Sequence, residues 1–113
     1  MEISLFAVPT AEGQICLHFG HCEVFSFIKV DAGLVMEMSS VVPPEHEPGL
    51  LPDWLHNLGV THIIAGGMGQ HAQDLFRAKG IKVVTGVDHG NPIQVVQSYL
   101  GGCLETGMNF CDH

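Results

Sequence analysis

The chain has 113 residues, 46% of them hydrophobic, and carries a formal net charge of −8 from 12 acidic and 4 basic residues. Nucleic acids and anionic membranes are bound through Lys and Arg, so this charge balance excludes both as expected partners. No apolar run approaches the roughly 18 residues that span a bilayer, and the first residues lack the basic start of a signal peptide, so we expect a cytoplasmic protein.

The first half of the chain predicts three strands. Residues 3–8 are apolar throughout, which is typical of a central strand. Residues 9–22 are predicted as a loop, because they begin with turn-forming residues. Further strands are predicted at 23–30 and 34–42. The short turn Asp31-Ala32-Gly33 between them indicates an antiparallel hairpin.

The second half alternates helices with strands. Helices are predicted at 50–58, 70–79 and 92–100 from apolar residues at helical spacing and from glycines that end them. The last helix is also indicated by Asn91-Pro92, a cap followed by a first helical residue. Short strands are predicted around Ile63 and at 81–87. The order β-β-β-α-β-α-β-α indicates an α/β fold with a five-stranded mixed sheet and helices on its faces. We expect one domain over residues 1–102 and a flexible tail over residues 103–113, which contains Cys103, Cys111 and His113.

The loop between the first two strands contains three potential metal ligands: His18, His21 and Cys22. If Phe19-Gly20 is the centre of a β-turn, the Cα atoms of the two histidines lie within about 7 Å, and both rings reach one ion at ~2 Å. A Cys22 thiolate would favour copper(I), zinc or an iron–sulfur species over magnesium. The alternative is an ordinary solvated turn with Cys22 in the core.

A second candidate site is the turn Gly66-Gly67-Met68-Gly69, which follows a buried strand and opens a helix. Glycines here are expected to let the backbone turn sharply and approach a ligand, while the first helical N–H groups point to the same place. His71 lies in the first helical turn, where the helix dipole favours the neutral ring that coordinates metal. The alternative is an exposed helix residue. The turn lacks the Lys-Ser/Thr of a phosphate loop, so a small anion is favoured over a nucleotide.

Other residues that could carry chemistry are expected to be structural. His62 is predicted to be a satisfied core or edge histidine, and Met36, Met38 and Met68 are predicted to fill the core. Cys16 either shares the side of the chain that presents His18 or is buried. The chain has no Gly-x-Ser-x-Gly motif and no carboxylate pair on a strand, so we do not expect an enzyme.

Three segments together carry a family resemblance: residues 18–25, 63–69 and 75–83. Across nearly all of residues 1–102 the chain resembles the dinitrogenase iron–molybdenum cofactor biosynthesis family, the NifX/NifY-type accessory proteins. The resemblance implies an RNase H-like five-stranded mixed sheet, and a role in carrying or protecting metal clusters during cofactor assembly rather than in catalysis. The family also includes a molybdenum–copper sulfide cluster protein, the orange protein of sulfate reducers.

We therefore expect a carrier of a metal–sulfur cluster that contains molybdenum with iron or copper. The expected ligands are His18, His21, Cys22 and His71, with backbone N–H groups of Gly66, Gly67, Met68 and Gly69 directed at sulfide or oxo groups. A metalloprotein or a cluster-assembly protein is the expected partner. Two alternatives remain open: a small-anion or nucleotide sensor that uses only the glycine turn, and an acidic docking module for a larger metalloenzyme. The carrier hypothesis requires the histidine loop and the glycine turn to meet at one edge of the sheet.

Overall fold

The computed structural model describes residues 3–16, 22–43, 50–87 and 89–102. Its elements in chain order are β1 (Ile3–Ala11), β2 (Gln14–Ile15), β3 (Val24–Asp31), β4 (Leu34–Val41), α1 (Leu50–Asn57), β5 (His62–Ile64), α2 (Gln70–Ala78), β6 (Lys82–Val84) and α3 (Pro92–Leu100). The three predicted helices are confirmed to within one residue at each end. No helix in this described part of the chain is long and apolar enough to cross a membrane.

The predicted loop over residues 9–22 is wrong in its first part. Strand β1 continues to Ala11, and the chain then turns back through Glu12 and Gly13 into β2. Both turn residues have positive φ, 53° and 79°, which suits a two-residue hairpin turn. Thr10 pairs with Ile15 in this hairpin. The sheet therefore has six strands rather than the predicted five. The alternation of side chains could not indicate β2 in the sequence, because the strand has only two residues.

The sheet is mixed, and its main strand order is β4-β3-β1-β5-β6, with β2 paired to β1. Strands β1, β5 and β6 run parallel, whereas β3 is antiparallel to both β1 and β4. Strand β5 pairs with the middle of β1, and β2 takes the same side of β1 beyond the end of β5. The predicted β3–β4 hairpin is confirmed, and its turn residues Ala32 and Gly33 both have positive φ.

Each face of the sheet has its own core. On one face Ala7, Phe25 and Ile63 pack with buried residues of α1 and α2, including Leu55 and Phe76. On the other face, buried residues of β1 and β3 pack against α3; they include Phe6, Val8, Ile28, Val95 and Val96. The predicted placement of helices on both faces is therefore confirmed. The two faces follow directly from the alternation of side chains along β1.

The methionines separate according to where their strands lie in the sheet. Met68 is fully buried, as predicted, whereas Met36 and Met38 are 57% and 46% exposed. Their predicted core role is wrong because β4 is the edge strand of the sheet. Most of its residues are exposed, and Val35 is the β4 residue that packs against a core cluster.

Candidate functional site

The carboxyl ends of the parallel strands define one edge of the sheet, here called the carboxyl edge. Strands β1 and β5 are parallel with Ala7 opposite Ile63, so the end of β1 and the residues after Ile64 lie at this edge. Strand β3 begins there too, because Val24 is paired with Thr10. Open α/β sheets bind ligands at this edge. The glycine turn, Cys16 and Cys22 therefore belong to the same edge.

Cys16 and Cys22 flank the segment 17–21 and are held by the end of β1. The backbone N–H of Cys16 donates to the carbonyl of Pro9 at 2.9 Å, and that of Glu23 donates to Thr10 at 2.9 Å. Consecutive carbonyls of one strand point to opposite sides. Cys16 therefore lies on the β2 side of β1, and Cys22, next to Glu23, lies on the β3 side. Each is half-buried, and neither forms a disulfide.

Cys22 is a protonated thiol at neutral pH. Burial, reinforced by the neighbouring Cys16, raises the pKa of the Cys22 thiol from an ordinary 9.0 to about 11. Hydrogen bonds from the backbone of Cys22 itself and of Thr10 oppose that rise in pKa. The thiolate would thus form only if a metal ion displaced the proton. Cys22 also packs against the core cluster that contains Met68 of the glycine turn.

The glycine turn continues the edge directly from β5. Gly66, Gly67 and Met68 are buried, and the carbonyl of Gly66 accepts a hydrogen bond from the N–H of Gly86 at 2.8 Å. The side chain of Gln73 donates to the carbonyl of Met68 at 2.9 Å. Met68 is 0% exposed as a whole residue, so of the four residues of the turn only Gly69 is exposed.

Gly69 is the N-cap of α2, and its backbone does not have the conformation for which a glycine was expected. It has φ −63° and ψ 154°, ordinary extended backbone, and a Cβ added there would meet no atom within 4 Å. The backbone therefore does not require glycine at this position. No side chain caps this helix, so its first N–H groups remain available.

His71 lies where the sequence predicted, in the first turn of α2, and it is exposed. The next residue, Ala72, packs against the same core cluster as Cys22. His18 and His21 lie outside the described residues, so their expected place at this edge stays a prediction. Within residues 3–16, 22–43, 50–87 and 89–102, no group of three or more His, Cys, Asp or Glu side chains forms a metal site.

The structure adds Cys16 to the candidate residues. Sequence spacing left Cys16 undecided between the core and the side of His18. The hairpin of β1 and β2 carries it back to Pro9, which brings it close enough to Cys22 to affect its pKa. The dipeptide Glu12-Gly13 is the sequence signal that could have indicated this hairpin, because a glycine readily adopts the positive φ found there.

His62 lies at the opposite edge of the sheet and is structural, as predicted. Its ring stacks on Phe6 with centroids 4.4 Å apart, and its Nδ1 lies 2.7 Å from the hydroxyl of Thr61. Burial, followed by the charge of Lys82, lowers the pKa of His62 below its ordinary 6.5.

Comparison with known proteins gives one family. Residues 2–102 match the family model described as dinitrogenase iron-molybdenum cofactor. The crystal structure of PH0822 superposes with a TM-score of 0.85 at 29% identity, covering 93% of this chain and 96% of that one. The apo form of the orange protein from Desulfovibrio gigas superposes with a TM-score of 0.74 at 23% identity, covering 96% of each chain. Because the identity to the orange protein is only 23%, that similarity supports the fold alone.

A curated relative of another kind also matches in sequence. The large ribosomal subunit protein bL25 of Burkholderia ambifaria is 30% identical over 80 residues, which cover 71% of this chain. The chain spans only about two-fifths of the length of that relative, since the match covers 39% of it.

Proposed function

Since the chain belongs to the dinitrogenase iron-molybdenum cofactor family, we propose that it binds and carries a metal–sulfur cluster at the carboxyl edge of its sheet. The proposed cargo contains molybdenum with iron or copper. The RNase H-like assignment of the fold is part of the same proposal; it is supported by the mixed sheet with a hairpin at one end and parallel strands at the other.

One observation carries the proposal. The two cysteines that flank residues 17–21 and the glycine turn, far apart in sequence, lie at the same edge of one sheet. Cys22 and Ala72, the residue after His71, pack against the same core cluster, which also contains Met68 of the glycine turn. This supports a coordination sphere that His18, His21, Cys22 and His71 would share.

The donor atoms at this edge suit a soft metal–sulfur cargo. Thiolates select copper(I), zinc and iron–sulfur species, and imidazole suits several transition metals. We add Cys16 to the proposed ligands, because it faces the same edge as Cys22. The uncapped N–H groups at the start of α2, together with the exposed backbone of Gly69, would donate to sulfide or oxo groups.

The charge at the edge limits the kind of cargo. Glu12 and Glu23 are exposed there, and the N–H of Glu12 donates to one Glu23 carboxylate oxygen at 2.7 Å. These carboxylates repel a highly anionic sulfide species and attract metal cations. A cluster whose metal ions offset most of the sulfide charge therefore suits this edge better than a bare oxyanion.

We place this role in the cytoplasm, with a cluster-assembly protein or a metalloprotein as the partner and without catalysis. The likeness to ribosomal protein bL25 does not lead us to an RNA-binding role. With 12 acidic residues against 4 basic ones, the chain has few groups to neutralise phosphates.

The test is anaerobic loading of the apo protein with molybdate, copper or iron, and sulfide, followed by elemental analysis and visible absorption. Single substitutions His18→Ala, His21→Ala, Cys22→Ser and His71→Ala are expected to lower the bound metal per chain and to shift the absorption bands. Ligand loss should weaken binding by at least about tenfold, equivalent to ~1.4 kcal/mol.

The matched control is His56→Ala. His56 is also an exposed helical histidine, but it lies in the last turn of α1, which precedes the opposite end of β5. It should load like the unaltered chain. Unchanged metal content in all four ligand variants would refute the four ligands predicted from the sequence, and absence of any loading by the unaltered chain would refute the carrier role.

The small-anion sensor stays as the second candidate, because the start of α2 has no side-chain cap. It predicts that phosphate compounds raise the melting temperature in the absence of metal. The effect should persist in Cys22→Ser, which separates this function from cluster binding.

A further inference from the structure

A cavity of about 470 Å³ lies on the α3 face of the sheet, away from α1 and α2. Strands β1, β3 and β4 form one wall, and the first residues of α3 form the other. Pockets that bind small molecules have volumes of about 300–1,000 Å³. The cavity is therefore large enough for a small organic ligand, and nothing in the proposed function uses it.

Two buried hydroxyl groups, those of Thr10 and Ser26, line this cavity and are 4% and 1% exposed. The Thr10 hydroxyl donates to the carbonyl of Val8 at 2.8 Å, and its oxygen lies 2.9 Å from the oxygen of Ser26. A hydroxyl has one proton to donate, so Ser26 must be the donor in the second bond. The Ser26 oxygen keeps its acceptor capacity, and no described residue donates to it.

The remaining lining sets the chemical class of the ligand. Val24, Met38 and Ile93 provide an apolar wall, and none of the described residues that line the cavity is charged. The start of α3 does not offer an anion site, because its cap is complete. Asn91 accepts from the N–H of Gln94 at 2.9 Å, and the side chain of Gln94 accepts from the N–H of Asn91 at 3.3 Å.

We propose that this cavity binds a small uncharged organic molecule with an apolar body and one hydroxyl or N–H donor. The apolar body contacts Val24, Met38 and Ile93, and the donor bonds to the Ser26 oxygen. This bond would use the remaining acceptor capacity of a buried hydroxyl whose proton is already bonded to Thr10. The proposal is independent of the cluster site, since it involves the other face of the sheet.

The test uses three probes of similar size in ¹H–¹⁵N titrations of the full chain: phenol, anisole and benzoate. Phenol has the donor, anisole replaces it with a methoxy group, and benzoate adds a negative charge. Phenol is expected to shift the amide signals of Thr10, Ser26 and Ile93, and to bind about fivefold more tightly than anisole. Benzoate is expected to leave those signals in place. Equal affinity for phenol and anisole, or shifts spread over both faces of the sheet, would overturn the proposal.

Substitutions separate the hydrogen bond from the cavity. Ser26→Ala should bring phenol down to the affinity of anisole. Ser40→Phe adds a ring at an exposed position that lines the cavity, and it should abolish binding of both probes. The matched control is Ser39→Phe, the neighbouring exposed position on the other face of β4, which should bind phenol normally. If Ser26→Ala retains the preference for phenol in a folded chain, Ser26 is not the acceptor.

Discussion

His62 and His71 lie at the two ends of the segment formed by β5 and the glycine turn, and one ring is packed whereas the other is exposed. His62 begins β5, stacks on Phe6 and lies with its Nδ1 2.7 Å from the Thr61 hydroxyl. His71 lies in the first turn of α2, just beyond the end of the same strand, and is exposed. The residue type is the same, so the difference comes from position. The ring at the amino end of β5 packs against Phe6, whereas the ring beyond its carboxyl end is exposed and is a candidate ligand.

The difference has a simple structural cause. Helix α3 covers the amino end of β5, where the Tyr99 ring meets His62 edge-on with centroids 5.7 Å apart. At the carboxyl edge the backbone instead turns through glycines into an uncapped helix. A covered ring contributes to stability, whereas an exposed ring beside free N–H groups can contribute to binding.

The largest expected effect on folding comes from His62. His62→Ala should lower the free energy of unfolding by about 2 kcal/mol, because it removes the stacked contact with Phe6, part of a buried layer and a hydrogen-bond partner of Thr61. His71→Ala should change it by less than about 0.5 kcal/mol, since an exposed helical residue makes few contacts. Urea unfolding followed by circular dichroism measures both. Similar losses of stability in the two variants would contradict the different roles assigned to His62 and His71.

A smaller effect is expected from pH. The pKa of His62 is lowered in the folded chain, so below its ordinary value of 6.5 the unfolded chain binds the proton more readily. The free energy of unfolding should therefore fall as pH drops from about 7 to about 5, as protonation of the unfolded state increases. His62→Gln should flatten this dependence relative to the unaltered chain. Urea midpoints across this range measure the slope; an unchanged slope in His62→Gln would contradict the assignment.

The smallest expected effect on stability comes from Gly69. A serine there can cap α2, and the extended backbone accepts it without a clash, so Gly69→Ser should stabilise the chain by a few tenths of a kcal/mol, ~0.3. Its side chain would also stand where the proposed cluster approaches the backbone. Thermal unfolding and metal content are measured on the same sample. Higher stability with lower metal content would support a binding role for the carboxyl end of β5. Unchanged metal content would remove Gly69 from the proposed site.

The helices and the character of the sheet were predictable because their signals are local. Asn91-Pro92 predicts a capped helix start, and the structure has a complete capping box there. Phe25 and Phe27 lie on one face of β3 and Ile28 and Val30 on the other, as expected for a strand covered on both faces. Local signals of this kind need no knowledge of the rest of the chain.

The candidate site was predictable only in part. Spacing indicated Cys22, His71 and the glycine turn, but it assigned Gly69 a conformational need that the backbone does not have. The proximity of Cys16 to Cys22 could not be inferred from their spacing, because it depends on a two-residue strand that returns the chain to Pro9.

The sequence by itself determined the family, the order of helices and most strands, and the residue types available for metal chemistry. Only the tertiary structure decided which of those residues share an edge. It brought both cysteines to the carboxyl edge, confined His62 to the opposite end and opened the cavity beside Ser26. The physical reason is that strand pairing joins residues far apart in the chain, and a side chain's burial depends on which layer covers its end of the sheet.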